Sequence, residues 1–259
     1  MSNYPTSTFQ KIQTAIEVLE NWPLLLPDKL KLINDLVVYK TKSGTRVYCR
    51  PNSPDVNETV IIFSDHEYPS RYLKVSNNAT VLDIGANIGL FDLYINQVNP
   101  ETSFKIYAFE PFRENVQLLK KNLEINKIHN TVVIQKAVSS TDGTVYIDTT
   151  GTPDSIHLTD GTMGEAVESI KLSTFAKDNS LPKIDLLKMD IEGSEYDIFN
   201  TDFDYIANNV DQIIMEFHNL SEIQNYKKLR PIIETSFEIT VLYQIDYGGV
   251  LYAKNKNFN

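Results

Sequence analysis

The sequence predicts an α/β fold: a mostly parallel sheet with helices on both faces and an antiparallel hairpin at its C-terminal end. Three observations predict it. From Ala79 onward, short apolar runs alternate with segments of helical spacing, the pattern of parallel strands joined by crossover helices. Three of those runs break into acids or glycines: Val81–Gly89 (VLDIGANIG), Ile106–Pro111 (IYAFEP) and Ile184–Glu195 (IDLLKMDIEGSE). The chain closes on Glu238–Gln244 and Val250–Lys254, separated by Ile245–Gly249, whose Tyr-Gly-Gly reads as a hairpin turn.

Taken in order, Phe9–Asn21 places Ile12, Ala15, Ile16 and Leu19 on one helix face, and Pro23 and Pro27 end that helix. Leu36–Lys40 and Arg46–Arg50 flank the Lys-Ser-Gly turn of Thr41–Thr45 as a hairpin. Pro51–Asp55 is a loop, and Glu58–Phe63 begins a helix or a strand. Residues 1–70 therefore read as an accessory cap on a domain covering 71–259. In that domain strands are expected at Thr80–Ile84, Lys105–Phe109, Thr131–Lys136, Asp185–Met189 and Gln212–Phe217. Helices are expected at Gly89–Asn96, Arg113–Asn126, Tyr196–Asn200 and near Ser221–Ile233. Gly151–Gly164 is polar and glycine-rich, a surface loop that serves either as a lid or as a connector.

Composition narrows the function. The 259 residues, 42% of them hydrophobic, fit one large domain with an extension and exclude a disordered chain. A net charge of −10 and a pI near 4.9 oppose nucleic acid as a partner. The densest basic stretch, Lys227, Lys228 and Arg230, reads as a solvated helix face. Cys49 is the single cysteine, so no internal disulfide forms, which favours a reducing compartment. Trp22–Pro27, the most apolar N-terminal piece, is too short to span a bilayer. The expectation is a soluble, cytoplasmic protein.

The strand-end motifs carry the chemistry. Gly85 and Gly89 let a ligand lie against bare backbone, but their spacing lacks the third glycine of the dinucleotide fingerprint. Asp83, just before the turn, repels a diphosphate and suits a cation. The loop thus favours a cationic, phosphate-free nucleoside over a nicotinamide dinucleotide. Glu110, at the next strand tip, suits the two hydroxyls of a ribose. Ala137 and Val138 follow a strand, and a small residue there leaves room for a flat adenine. Asp190, Glu192 and Glu195 gather carboxylates at a third strand end, able to bind a divalent cation, hold an amino group or polarise a hydroxyl. Met215–Asn219 puts Glu216 and His218 on one face of a further strand, and histidine is the side chain best matched to taking a hydroxyl proton near neutrality.

Together these motifs resemble the FkbM-type methyltransferases. The resemblance rests on VLDIGANIG, on Phe109–Pro111 (FEP), on Lys188–Glu195 (KMDIEGSE) and on Met215–His218 (MEFH). Weaker echoes lie in Tyr48–Glu58 and in Glu67–Ser70 (EYPS). It implies a Rossmann-like class I methyltransferase fold with a seven-stranded sheet and S-adenosylmethionine as cofactor. Gly85, Asn87 and Gly89 would surround the methionine part with Asp83 nearby. Glu110 would hold the ribose, Val138 or its neighbour Ala137 the adenine, and Asp190 would sit beside the reacting methyl. The implied reaction is O-methylation of a small-molecule or carrier-linked hydroxyl, on a sugar or a polyketide or peptide natural product. Asp190 and His218 would act on the acceptor with Glu192 and Glu216 in support, and Asp190 is a possible Mg²⁺ ligand. Leu172–Phe175 (LSTF) departs from the family, which often has an acid where Ser173 stands. The alternatives are an NAD(P)-dependent oxidoreductase, or a catalytically inactive methyltransferase-like binding module.

Overall fold

The structure, a computed structural model, describes residues 7–148, the backbone of 157–158, and residues 164–222 and 224–258. Helix α1 (Thr8–Val18) starts from a capping box in which Ser7 and Gln10 satisfy each other's backbone N–H groups. It stops at Val18, short of the expected Asn21. A 3₁₀ turn, Trp22–Leu24, leads into α2 (Leu25–Lys29). Pro27 sits in the first turn of α2, where no intrahelical N–H is lost. Strands β1 (Val37–Lys40) and β2 (Arg46–Cys49) form the expected hairpin, and α3 (Asp55–Phe63) settles the next segment as helix.

The main body runs β3 (Ala79–Ile84), α4 (Leu90–Val98), β4 (Phe104–Phe109), α5 (Arg113–Ile125) and β5 (Thr131–Ile134). It continues through β6 (Ala137–Val138), β7 (Gly143–Asp148), β8 (His157–Leu158) and β9 (Glu165–Ile170) to α6 (Leu172–Asp178). It closes with β10 (Ile184–Met189), α7 (Glu195–Asn209), β11 (Val210–His218), α8 (Tyr226–Glu234), β12 (Phe237–Ile245) and β13 (Gly248–Asn255). Seven strands form one sheet in the order β12-β13-β11-β10-β3-β4-β5. β11, β10, β3, β4 and β5 are mutually parallel, and β13 is antiparallel to both its neighbours.

Strand alternation divides the core. Val81, Ile106, Leu186 and Ile214 point to a layer shared with α4 and the N-terminal elements. Leu82, Tyr107, Leu187 and Ile213 point to the opposite layer, against Phe175 of α6, Phe199 of α7 and Leu229 of α8. Helices therefore cover both faces. Leu19, Tyr39, Val60 and Tyr68 join the first layer, so the elements before residue 71 lie directly on one face of the sheet. Among the described residues no helix is long and apolar enough to cross a membrane.

Three expectations are corrected. The strand expected over Thr131–Lys136 ends at Ile134, and the chain turns at Lys136 to enter β6. A second sheet, ordered β6-β9-β7-β8, fills the region between β5 and α6. Most of Gly151–Gly164, read as a loop, lies outside the described residues, but His157 and Leu158 within it pair with Asp148 and Ile147. The helix expected over Tyr196–Asn200 runs three times as long, because no glycine or proline interrupts it before Asn209. At Ser173 the absent acid is replaced from α7: the backbone N–H and hydroxyl of Ser173 both donate to the Asp202 carboxylate, at 3.1 and 2.7 Å.

Candidate active site

β3 and β10 lie side by side, yet β3 leads outward to β4 and β10 leads the other way to β11. Their loops part, and a crevice opens at the carboxyl ends of the strands. The β3 loop is clamped on both sides. The backbone N–H groups of Gly85 and Ala86 donate to the Phe109 carbonyl at 3.0 and 2.9 Å, and that of Asp190 donates to the Ile84 carbonyl at 3.0 Å. Gly85 has φ of 80°, and a Cβ there would stand 1.8 Å from the Asp190 carbonyl oxygen, so only glycine fits. Asn87 also adopts the left-handed region, and Gly89 caps α4.

Glu110 is 5% exposed at the tip of β4. Its Oε2 accepts from the Asn87 backbone N–H at 2.8 Å, and its Oε1 from the Phe112 backbone N–H at 3.0 Å and from Asn115 Nδ2 at 3.4 Å. Burial raises its pKa to about 7, against the lowering effect of those donors and of Lys188. Ala137 and Val138 are buried, and their strand pairs with Ser169 and Ile170 of β9. The Val138 side chain joins the layer of Leu172 and Phe175.

Asp83 does not present itself to a ligand as expected. It is fully buried, and Lys188, two residues before Asp190 on the neighbouring strand, lies 3.1 Å from its Oδ1. Lys188 Nζ also donates to the Gly85 carbonyl at 2.7 Å and stands 3.7 Å from Asp190 Oδ2. The physical reason is register: Lys188 pairs with Asp83 across β10 and β3, so their side chains share a face. Burial opposes the charge on Lys188, but Asp83, Asp190 and Glu67 raise its pKa above the ordinary lysine value. Asp92 of α4, fully buried in the same layer, is driven well above the carboxylate range by burial and by the charge of Asp83.

The other half of the crevice is built from carboxylates. His218, at the tip of β11, has Nε2 3.4 Å from Glu192 Oε2 and 3.7 Å from Glu216 Oε1, and Nδ1 3.3 Å from Glu195 Oε1. Glu216 and His218 share a face, as the alternation requires. Burial works against a charged His218, yet the hydrogen bond and charge of Glu195, with Glu192 and Asp190, raise its pKa to about 9. Both ring nitrogens thus face carboxylates, and a proton held there must leave before His218 can accept one. Glu195, read as part of the acid cluster, is fully buried, and its Oε1 also accepts from the Ile191 backbone N–H at 3.1 Å.

Sequence reasoning gave no chemistry to Glu67, the neighbour of the pocket candidate Tyr68. Both come from the segment before β3 and are buried against Asp190 and Glu216. Burial and the charge of Asp190 raise Glu67 to about 7, while Tyr68 and Lys188 oppose the shift. Glu216 is driven well above its ordinary value by burial and by Asp190, Glu67 and Glu192. The available signal was the weak echo at Glu67–Ser70, which carried no chemistry by itself.

Similarity to known proteins agrees with this geometry. The model of the methyltransferase FkbM domain matches residues 83–242, more than half of the chain. Methyltransferase sdnD from Sordaria araneosa is 32% identical over 171 residues, which are 53% of this chain and 64% of that protein. The AMB antimetabolite synthetase AmbE of Pseudomonas aeruginosa is 28% identical over 197 residues, 61% of this chain but 9% of that protein. The chain thus spans less than two thirds of the length of either relative. The solved structure of a methyltransferase FkbM from Methylobacillus flagellatus KT superposes with a TM-score of 0.50 at 16% identity, over 78% of this chain and 55% of that one, a likeness of fold. The class I methyltransferase architecture and the match from Asp83 onward carry one conclusion: this chain belongs to the FkbM methyltransferase family.

Proposed function

We propose that the chain transfers the methyl group of S-adenosylmethionine to a hydroxyl oxygen of a sugar or of a polyketide or peptide natural product. The observation that carries this reading is the division of the crevice into a backbone-built half at Gly85–Gly89 and Glu110 and a carboxylate-built half at Glu67, Asp190 and Glu216. The first half fits the donor. Glu110 retains acceptor capacity on Oε2 for a ribose hydroxyl, and the buried Asn87 Oδ1 has no hydrogen-bond partner within the described residues. The bound donor supplies an electrophilic methyl on a sulfonium.

The chain's own residues then do two things. Asp190 and the β3 loop align the acceptor oxygen with the methyl, and alignment of this kind is worth up to roughly 7–11 kcal/mol. A carboxylate of the second half, Glu67 foremost, takes the hydroxyl proton, for a gain of about 10²–10⁴-fold. The similarity to a small portion of an antimetabolite synthetase supports a natural-product acceptor, free or carrier-linked. The single, buried Cys49 supports a reducing, cytoplasmic setting. Membership of a methyltransferase family removes the support for hydride transfer.

The test uses donor labelled with carbon-13 at the methyl and a panel of hydroxyl-bearing sugars and polyketides. The chemical shift of the transferred carbon separates methoxy from N-methyl and C-methyl products. A methoxy product bears the proposal out; an N-methyl or C-methyl product overturns it. Calorimetry with S-adenosylhomocysteine tests the donor half separately, and no binding by the intact chain rejects the cofactor assignment.

A further inference from the structure

We propose that Asp190, Glu192 and Nε2 of His218 form a binding site for a divalent cation of the Mn²⁺ type on the acceptor side of the crevice. One ligand atom from each of the three lies within 4.8 Å of the others. The Nε2 to Glu192 Oε2 separation is 3.4 Å. Six-coordinate bonds of about 2.1 Å place neighbouring donors about 3 Å apart, so a small inward movement completes the set.

The histidine is held for this task. Its Nδ1 faces the fully buried Glu195, whose Oε1 is fixed by the Ile191 backbone N–H, and this leaves Nε2 turned toward Asp190 and Glu192. A carboxylate behind a ligating histidine sets the tautomer and the ring direction. Glu195 Oε2, fully buried behind the ring, has no hydrogen-bond partner in the described residues. The Tyr68 hydroxyl, 1% exposed, lies in the field of Glu67, Asp190 and Glu216.

Charge adds a third argument. Asp190, Glu192 and Glu195 crowd one histidine, and the neighbouring Lys188 is already engaged by Asp83. A dication offsets two of those charges, and the proton it displaces from Nε2 leaves to solvent. The donor set fixes the type: carboxylates alone suit Mg²⁺ or Ca²⁺, whereas an imidazole among them shifts preference to a first-row ion. Three protein ligands leave coordination positions open for an acceptor oxygen, whose proton the cation would weaken. That role rests on the proposed methyl transfer; the existence of the site does not.

The experiment is a titration of the full chain with Mn²⁺ alone, read by the paramagnetic resonance signal of the free ion. One tight site is expected. Glu192→Gln, at a half-exposed position, should weaken it at least 10-fold, and His218→Gln likewise. Glu195→Gln, acting through the ring, should weaken it about 10–100-fold. Zn²⁺ should compete better than Ca²⁺. Several weak sites, unchanged affinity in Glu192→Gln, or displacement by Ca²⁺ but not Zn²⁺ would overturn the proposal. Binding of S-adenosylhomocysteine after chelation is measured in parallel. If the homocysteine binds and Mn²⁺ does not, the cation site falls and the donor reading stands; the reverse outcome sinks the donor reading alone.

Discussion

The two halves of the crevice are built from different materials. At the tips of β3 and β4 the working surface is backbone: Gly85 and Ala86 hang from the Phe109 carbonyl, and Glu110 spends itself mainly on main-chain N–H groups. At the tips of β10 and β11 it is side chains: Asp190, Glu192, Glu195, Glu216 and His218 are set against one another, with Glu67 brought in from the N-terminal segment. The first half is defined by what it has no room for. The second is defined by charges that repel and by the protons that settle among them. Steric substitutions should therefore ruin the first half, while pH should act chiefly on the second.

The largest effect is expected at Gly85. Alanine there would drive Cβ into the Asp190 carbonyl and occupy a φ of 80°. Because Asp190 N–H also ties the two strands together, the clash disturbs both halves. Gly85→Ala should lower unfolding free energy by more than about 4 kcal/mol in denaturant titration, or abolish folding. A loss under about 1 kcal/mol would mean that the loop is free to move away from β10, and that the backbone half is less rigid than its hydrogen bonds imply.

Lys188 is the pin between the halves, and it ranks next. Lys188→Met leaves Asp83 buried without its partner, a change that costs about 3–5 kcal/mol. The double variant Lys188→Met with Asp83→Leu should recover most of that loss, since an apolar pair of similar volume avoids the desolvation of both charges. An additive double variant would show that Lys188 acts through the Gly85 carbonyl and Asp190 instead.

The pH response is smaller and belongs to the acceptor half. Glu67 titrates near 7 in the folded chain against an ordinary 4.5, so the native state binds its proton more tightly than the unfolded state does. The stability it contributes is complete below about 4.5 and is lost as pH rises through 7, by about 3 kcal/mol. His218 is raised from 6.5 to about 9, so its contribution is complete below 6.5 and is lost as pH rises through 9. Both signs agree: unfolding free energy should fall from pH 5 to pH 9. Glu67→Gln should flatten the lower part of the curve and His218→Gln the upper part. A flat wild-type curve would show that solvent or ions already relieve the crowding.

The same contrast explains what could be read from the chain alone. Gly85, Gly89 and Glu110 are local signals, because a strand that ends in glycines, followed by a strand that ends in an acid, means much the same in any parallel sheet. The strand ends Asp190 and His218 were legible for that reason too. Lys188 was not, since inside an apolar run it looks like an exposed residue until the register with Asp83 is known. Glu67 was invisible as chemistry because the N-terminal segment that delivers it lies far from Asp190 in sequence. The second sheet was missed because β6 and β8 are two residues each, too short for any alternation to show.

The smallest effect expected is at Glu110, the carboxyl through which pH reaches the backbone half. Glutamine at 110 keeps the shape but turns an NH₂ toward the N–H of either Asn87 or Phe112, and it cannot accept two ribose hydroxyls with full charge. Hydrogen bonds to a charged group are worth about 1.5–3 kcal/mol, so S-adenosylhomocysteine should bind Glu110→Gln about 10-fold or more weakly at pH 8. The wild-type carboxyl titrates near 7, and only its ionised form accepts from both hydroxyls with full charge. Wild-type affinity should therefore rise as pH increases from 6 to 8, while the variant stays level and the gap between them narrows at pH 6. Calorimetry at both pH values decides it. Equal slopes in the two proteins would show that Glu110 does no more than hold the Asn87 loop in place, and the diol would then have to find its partner elsewhere on the rim.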